Sequence, residues 1–127
     1  MTLSEEITVA INVNEPTEIR PWGAFYVLDE GPGFKVKRIV VNPGGRLSLQ
    51  SHERRSEHWT VVEGEPTATL GDHVVILLRG QSLNIPRGAI HRLENWGTNS
   101  ASIIEVQFGE YLEEDDIKRY SDEYNRT

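Results

Sequence analysis

Glycine and proline interrupt this chain at short intervals, and the runs between them are rich in Val, Ile, Leu and Thr. Such runs occupy residues 34–41, 47–52, 59–62 and 74–78, and turn-forming residues stand at 31–33, 43–45, 71–72 and 86–88. Short β-prone runs separated by turns are typical of an all-β sandwich or barrel. Residues 67–70 and 73–78 flank Gly71-Asp72 as the two strands of a hairpin would.

Both ends of the chain differ from this pattern. Residues 113–124 are predicted to form a short C-terminal helix within an acidic segment, 110–127. Residues 1–18 are predicted to be an N-terminal arm or an edge strand. The chain of 127 residues has the usual size of one compact domain, and it contains neither an internal repeat nor a linker. We therefore expect a single domain over residues 1–127.

Composition excludes several classes of function. The chain has no cysteine, which excludes disulfides, thiolate zinc sites and cysteine nucleophiles. The net charge of −7 argues against nucleic acids and anionic membranes as partners. The N-terminus does not resemble a signal peptide, and no run is long enough to cross a bilayer, so we expect a cytoplasmic protein.

The distribution of charge is more informative than its total. Residues 1–18 contain four acids and no base, and residues 110–127 contain seven acids and three bases. The middle of the chain, residues 19–109, contains nine acids and ten bases and is close to neutral. A small anionic molecule could therefore be received there despite the acidic ends.

Polar residues alternate with leucines between residues 46 and 52. On a strand, one face would carry four polar side chains: Arg46, Ser48, Gln50 and His52. Inside a small barrel such groups need partners, because an unpaired buried polar atom costs about 1–3 kcal/mol. A bound metal ion would supply that partner.

Two glycine-anchored motifs contain the candidate ligands. The first is Gly44-x5-Gln50-x-His52-x4-Glu57-x6-Gly64, and the second is Gly80-x5-Pro86-x-Gly88-x2-His91-x3-Asn95. Every spacing resembles the two motifs of the cupin superfamily; the one departure is Gln50, where many cupins have a histidine. The resemblance covers residues 44–95 and implies a jelly-roll barrel. It also implies four metal ligands: Gln50, His52, Glu57 and His91.

The implied ligand set suits one divalent ion. Two imidazoles, a carboxylate and an amide oxygen are compatible with zinc, which we favour, or with manganese, cobalt, nickel or iron(II). Four protein ligands leave one or two positions for water or substrate, as a catalytic metal requires. His73, beside the Gly71-Asp72 turn, is predicted not to be a ligand. A zincin motif is excluded, because Ser56 stands where its second histidine would be.

The segments around the motifs resemble one group of cupins, the type II mannose-6-phosphate isomerases. They are residues 20–23, 34–39, 43–50, 56–59, 91–95, 104–107 and 111–117. In that family the cupin is commonly the C-terminal domain of a bifunctional enzyme that also carries a mannose-1-phosphate guanylyltransferase. The similarity spans roughly residues 20–124 and includes no nucleotidyltransferase, so we expect a stand-alone cupin without guanylyltransfer. Glu53 and Arg54 replace two histidines of the family, and Asn125 replaces a glycine.

The resemblance implies a metal-dependent aldose–ketose isomerase. The expected reaction converts mannose 6-phosphate to fructose 6-phosphate through a cis-enediol. The candidates for the general base are Glu105, Lys37 and His58, of which Glu105 shares the polar face of its strand with Gln107. For the phosphate, Arg46 is the first candidate, followed by Lys37 and Arg92. On regular strands His58 and Arg92 would point away from their neighbours Glu57 and His91.

Two alternative functions remain open. One is an iron or nickel cupin dioxygenase with a similar ligand set, and the other is a cupin that binds a sugar phosphate or sugar nucleotide without turnover. Basic residues near the site favour an anionic sugar phosphate as the partner. Because an open sheet edge is best covered, we also expect a homodimer that pairs through edge strands.

Overall fold

The computed structural model describes residues 15–121, which form eleven β-strands. These are β1 (Glu18–Arg20), β2 (Gly23–Gly31), β3 (Phe34–Val41), β4 (Leu49–Ser51), β5 (Arg55–Glu63), β6 (Thr67–Leu70), β7 (His73–Ile76), β8 (Ser82–Ile85), β9 (His91–Glu94), β10 (Ala101–Gly109) and β11 (Lys118–Ser121). The prediction of an all-β chain is confirmed.

The strands form two antiparallel sheets. The larger has the order β1-β2-β3-β10-β5-β8, and the smaller has the order β11-β4-β9-β6-β7. The chain crosses repeatedly from one sheet to the other, so that β10 lies between β3 and β5, and β9 lies between β4 and β6. This is the expected jelly-roll barrel.

The core lies between the inner faces of the two sheets. It consists of Trp22, Phe25, Ile39, Val41, Leu47, Trp59, Val61, Ala68, Leu77, Ile85, Leu93 and Ile103. Alternation places every second side chain of β5 inside, from Arg55 through Glu57 and Trp59 to Val61. The same inner surface therefore continues from the apolar core to a group of polar side chains.

Polar side chains of β10 also point inward. Ile103, Glu105 and Gln107 are buried, whereas the outward positions between them are more exposed. Glu105 is in register with Lys37 on β3, and Gln107 is in register with Glu57 on β5. The polar face predicted for this strand is thus the one that faces the interior.

Gly64 ends the β5 strand at a point where a side chain would not fit. Its φ is +74°, and an added Cβ would lie 2.9 Å from the Cα of Ala101. Left-handed backbone and close approach both favour glycine. This explains the last glycine of the first sequence motif.

The predicted C-terminal helix is wrong over the described residues. Residues 118–121 form β11, which pairs with β4 and places Arg119 opposite Gln50. A turn at residues 113–116 precedes it, and residues 122–124 lie outside the described range. Long-range pairing with a sheet edge outweighs a local preference for helix. No helix that could cross a bilayer occurs among residues 15–121.

The N-terminal prediction is covered only in part. β1 lies at the edge of the larger sheet and pairs with β2. The rest of the arm predicted for residues 1–18 lies outside the described residues.

Candidate metal centre

A cavity lies between the sheets, beside the apolar core; we call it the barrel cavity. Its polar lining residues are Arg20, Lys37, Ser48, Gln50, His52, Arg55, Glu57, His91, Glu105, Glu114 and Arg119. Its apolar wall includes Trp22, Phe25, Ile39, Leu47, Trp59, Leu93 and Ile117. The cavity therefore combines an apolar base with convergent charged groups, as ligand sites commonly do.

Three candidate ligands converge inside this cavity. His52, Glu57 and His91 are all buried, and one ligand atom from each lies within 4.8 Å of the others. The Nε2 atom of His52 is 3.4 Å from Oε2 of Glu57, and Nε2 of His91 is 3.8 Å from Oε1. β5 supplies Glu57, β9 supplies His91, and His52 follows β4, so both sheets contribute.

The tautomers of the two histidines follow from their outer contacts. Nδ1 of His52 is 2.6 Å from the carbonyl oxygen of Asp116, and Nδ1 of His91 is 2.9 Å from that of Ala89. A carbonyl oxygen only accepts hydrogen bonds, so each Nδ1 is the protonated nitrogen. In a neutral ring with this tautomer, Nε2 carries the lone pair, and in both residues Nε2 faces Glu57.

The carboxylate between the histidines is held in its charged form. Burial opposes the charge of Glu57, but Arg55 and the two histidines outweigh it and lower the pKa to about 2. The pKa of His52 is lowered by burial and by the charge of Arg55, which favours the neutral ring. Two imidazole lone pairs and a carboxylate facing one another are a donor set for a divalent cation, so these residues fit the implied metal ion.

Gln50, the fourth predicted ligand, lies on the same side of the barrel. It is half-buried on β4, its Cα pairs with that of His91, and its side chain lines the barrel cavity. Gln50 is therefore placed next to the three convergent ligands, and its coordination of the ion stays a prediction.

Sequence reasoning missed Arg55, which is 6% exposed and lies among the ligands. Its Nε donates to Oε2 of Glu57 at 2.8 Å, and Nη2 lies 2.8 Å from the same oxygen and 3.1 Å from Nε2 of His52. Nearby carboxylates raise the pKa of Arg55 despite the opposing effect of burial. The signal was available, because Arg55 precedes Glu57 by two residues and so shares its face of the strand.

Glu105 lies in the cavity wall, as predicted from its strand face. It is buried, and it accepts a hydrogen bond from Nε2 of Gln107. Burial and then the charge of Glu57 raise its pKa to about 8. Two acids in one cavity thus have very different proton affinities, a pattern that separates a permanent anion from a proton carrier.

Lys37 also lines the cavity and is 4% exposed. Its Nζ donates to Oε1 of Glu114 at 3.0 Å and lies 4.1 Å from the centre of the Phe25 ring. Charge on Lys37 and its hydrogen bond lower the pKa of Glu114 against the effect of burial. Glu114, like Arg55, was not predicted from the sequence.

The C-terminal segment completes the site from outside the two motifs. Besides the contact of its carbonyl with His52, Asp116 accepts hydrogen bonds from the backbone amides of Glu53 and Arg54 through its carboxylate, at 3.2 and 3.0 Å. These contacts use backbone amides, so they do not depend on the side chains that replace the family's histidines. Ile117 and Arg119 add to the cavity wall.

Three predicted site residues are not brought into the cavity lining. Arg46 lies outside the short β4 strand; its Nε donates to Glu94 at 2.7 Å and its guanidinium lies over Trp96. The expected regular strand over residues 46–52 is therefore wrong. Nε of Arg92 donates to the Leu47 carbonyl, and its Nη2 donates to Ser121.

His58 is the third, and its ring bonds Asn84 on the neighbouring β8 strand. For His58 and Arg92 the reason is strand alternation, which aims each side chain away from the ligand beside it. The proposed roles of His58, Arg46 and Arg92 stay untested, but their positions do not support them.

A sequence profile decides the family. The profile described as "Mannose-6-phosphate isomerase C-terminal" matches residues 10–122. The chain belongs to this family. The barrel described above is a cupin fold.

Two relatives share about half of their aligned residues with this chain. It is 54% identical over 108 residues to the xanthan biosynthesis protein XanB of Xanthomonas campestris pv. campestris (strain B100), covering 85% of the chain and 23% of XanB. It is 47% identical over 120 residues to a mannose-1-phosphate guanylyltransferase of Sinorhizobium fredii, covering 94% and 23%. The chain thus spans about a quarter of the length of these relatives.

Solved structures agree on the fold. KdgF from Halomonas sp. has a TM-score of 0.71 at 16% identity, covering 80% of this chain and 92% of KdgF. A sugar phosphate isomerase of the cupin superfamily from Silicibacter pomeroyi has a TM-score of 0.59 at 22% identity, covering 66% and 59%. These similarities confirm the cupin prediction.

Proposed function

We propose that this cupin is a metal-dependent isomerase of a sugar phosphate, and that mannose 6-phosphate and fructose 6-phosphate are its substrate and product. The main support for the proposal is that one cavity contains two carboxyl groups whose pKa values are shifted in opposite directions. Glu57, with its lowered pKa, stays charged among the histidines, and Glu105, with its raised pKa, can exchange a proton.

The proposed metal ligands are His52, Glu57, His91 and Gln50. A divalent ion held by them, with zinc favoured, would supply Lewis acidity for the oxyanion that develops at the sugar carbonyl. Trp59 donates from Nε1 to Oε1 of Glu57 at 3.0 Å and meets the His91 ring edge-on. These contacts fix the orientation of both ligands before substrate arrives.

Glu105 is the proposed general base. As a carboxylate it takes the proton from C2 of the open-chain aldose and returns it to C1, while a proton moves from O2 to O1; the intermediate is a cis-enediol. A raised pKa makes this carboxylate a stronger base than an exposed one, and positive charge near it increases the ionised fraction at neutral pH.

Positive charge in the cavity favours an anionic substrate. Arg20, Lys37, Arg55 and Arg119 line it together with three acids, Glu57, Glu105 and Glu114. Even with Glu105 as a carboxylate, the four bases exceed the three acids by one, although the whole chain has a net charge of −7. We propose that Lys37 and the arginines of this wall, rather than Arg46 and Arg92, receive the phosphate.

The test is isomerisation by protein that has been stripped of metal and then restored with zinc, cobalt or manganese. Formation of fructose 6-phosphate is expected only after restoration. Glu105→Gln should lower kcat by at least about 100-fold while metal affinity changes little. Glu94→Gln removes a buried acid outside the cavity and is the matched control. Metal-loaded wild type that binds mannose 6-phosphate without forming product would favour the non-catalytic alternative instead.

A further inference from the structure

Arg55 occupies the place of a cation at the convergent ligands. Its guanidinium bridges Oε2 of Glu57 and Nε2 of His52, at 2.8 and 3.1 Å. It is almost fully buried, and it is the positive group nearest to this carboxylate among the ion pairs of the described residues. The convergent ligands are therefore in contact with an internal positive charge.

The bond to His52 is incompatible with metal ligation. Nδ1 of His52 already donates to the Asp116 carbonyl, so Nε2 has the only lone pair that the neutral ring can offer. That lone pair now accepts a hydrogen bond from Nη2 of Arg55. His52 cannot give it to a metal ion and to Arg55 at the same time.

A second position for the guanidinium is already prepared. Nη1 of Arg55 is buried and has no hydrogen-bond partner within residues 15–121. The nearest acid on that side is Glu114, whose Oε2 is 3.7 Å away. Glu105 also attracts Arg55 electrostatically from the cavity wall. A small rotation toward these two carboxylates would keep the guanidinium paired after it leaves His52.

We propose that Arg55 is an exchangeable internal cation, which holds Glu57 and His52 in the metal-free chain and moves toward Glu114 when metal enters. The inference rests on the metal site of the proposed function but not on isomerase activity. Arg55 then competes with the metal ion for its ligands. The opposite role, a permanent outer partner that orients Glu57 for the metal, predicts the opposite change in affinity.

The test is metal affinity, measured by calorimetric titration of metal-free protein with zinc and with cobalt. Arg55→Met should bind either ion at least about tenfold more tightly, because the competing cation is gone. Arg20→Met removes the same charge from the cavity but pairs with Glu18 instead of the ligands, and should change affinity by less than about threefold. Weaker binding by Arg55→Met would overturn the inference.

Two further measurements test the inference if Arg55→Met folds poorly. Arg55→Lys keeps the charge but offers a single point donor, so its affinity should lie between those of wild type and Arg55→Met; unchanged or weaker binding would overturn the inference. Glu114→Gln should weaken binding more in wild type than in Arg55→Met, because only wild type needs the second position; equal losses would count against it. Failure of wild type to bind metal would overturn both the site and this inference, whereas metal binding without turnover would leave it standing.

Discussion

Glu105 is a buried carboxyl group whose pKa is strongly raised. Its pKa of about 8, raised by burial and by Glu57, lies well above the value of about 4.3 expected in an unfolded chain. At pH values between these two pKa values, Glu105 is more fully protonated in the folded chain than in the unfolded chain. The stability contributed by this group is therefore complete below the unfolded pKa and is lost as pH rises through about 8.

The free energy of unfolding should therefore depend measurably on pH. In metal-free protein the free energy of unfolding should fall between pH 7 and 8 by up to about 1.4 kcal/mol from Glu105 alone. Glu105→Gln should remove that slope, because the amide does not titrate. Urea unfolding at several pH values measures it, with Glu94→Gln as the control. A slope that persists unchanged in Glu105→Gln would show that this group titrates normally.

At the residue scale the sequence predicted what depends on spacing. The resemblance of the two motifs to those of cupins implied that His52, Glu57 and His91 form one ligand group, and the three residues lie together in the structure. They did not indicate Arg55, which matters through its contacts with these residues and not through the motif itself. Arg46 was misplaced because the strand that was assumed to hold it begins only at Leu49.

At the scale of elements, the C-terminal segment closes the site. Asp116 bonds the backbone amides of the β4–β5 turn, and its own carbonyl fixes the tautomer of His52. Asp116→Ala should therefore weaken metal binding about 10–100-fold and lower stability by about 1–2 kcal/mol.

Calorimetry and urea unfolding measure both effects. Asp115→Ala removes a neighbouring exposed acid whose hydrogen bond is to the half-buried Tyr111, and it should change neither quantity by much. If the two variants behave alike, the segment does not position the histidine.

The helix predicted for residues 113–124 was wrong over the described residues because the sequence shows only local preferences. Residues 113–116 are acidic and compatible with a first helical turn, and nothing local indicates that β4 has an open edge. The pairing of β11 with that edge joins residues nearly 70 positions apart, such as Lys118 and Ser51. By contrast, β3 and the β6–β7 hairpin were predictable, because their strands and turns are local.

At the scale of the whole molecule, β7 is the element that favours the predicted homodimer. It forms one edge of the smaller sheet, and Val74, Val75 and Ile76 are 65%, 43% and 63% exposed. An apolar edge strand exposed on both faces would be covered by the same strand of a second copy. Dimerisation through β7 remains a proposal that a single charge can test.

Val75→Lys should convert a dimer to a monomer, because a lysine on an edge strand opposes pairing. Val62→Lys is the matched control, since Val62 is 39% exposed on β5, which is paired on both sides. Light scattering after size-exclusion chromatography gives both masses. A Val75→Lys dimer would exclude this edge as the interface.

The metal site itself is tested most directly by equilibrium titration of stripped protein with zinc, with bound metal counted per chain. Wild type should bind one ion, and His52→Ala and His91→Ala should each lose at least about 100-fold in affinity. His73→Ala, an exposed histidine on β7, should bind as wild type does. Full affinity in His52→Ala or His91→Ala would contradict the metal centre and, with it, the proposed isomerase.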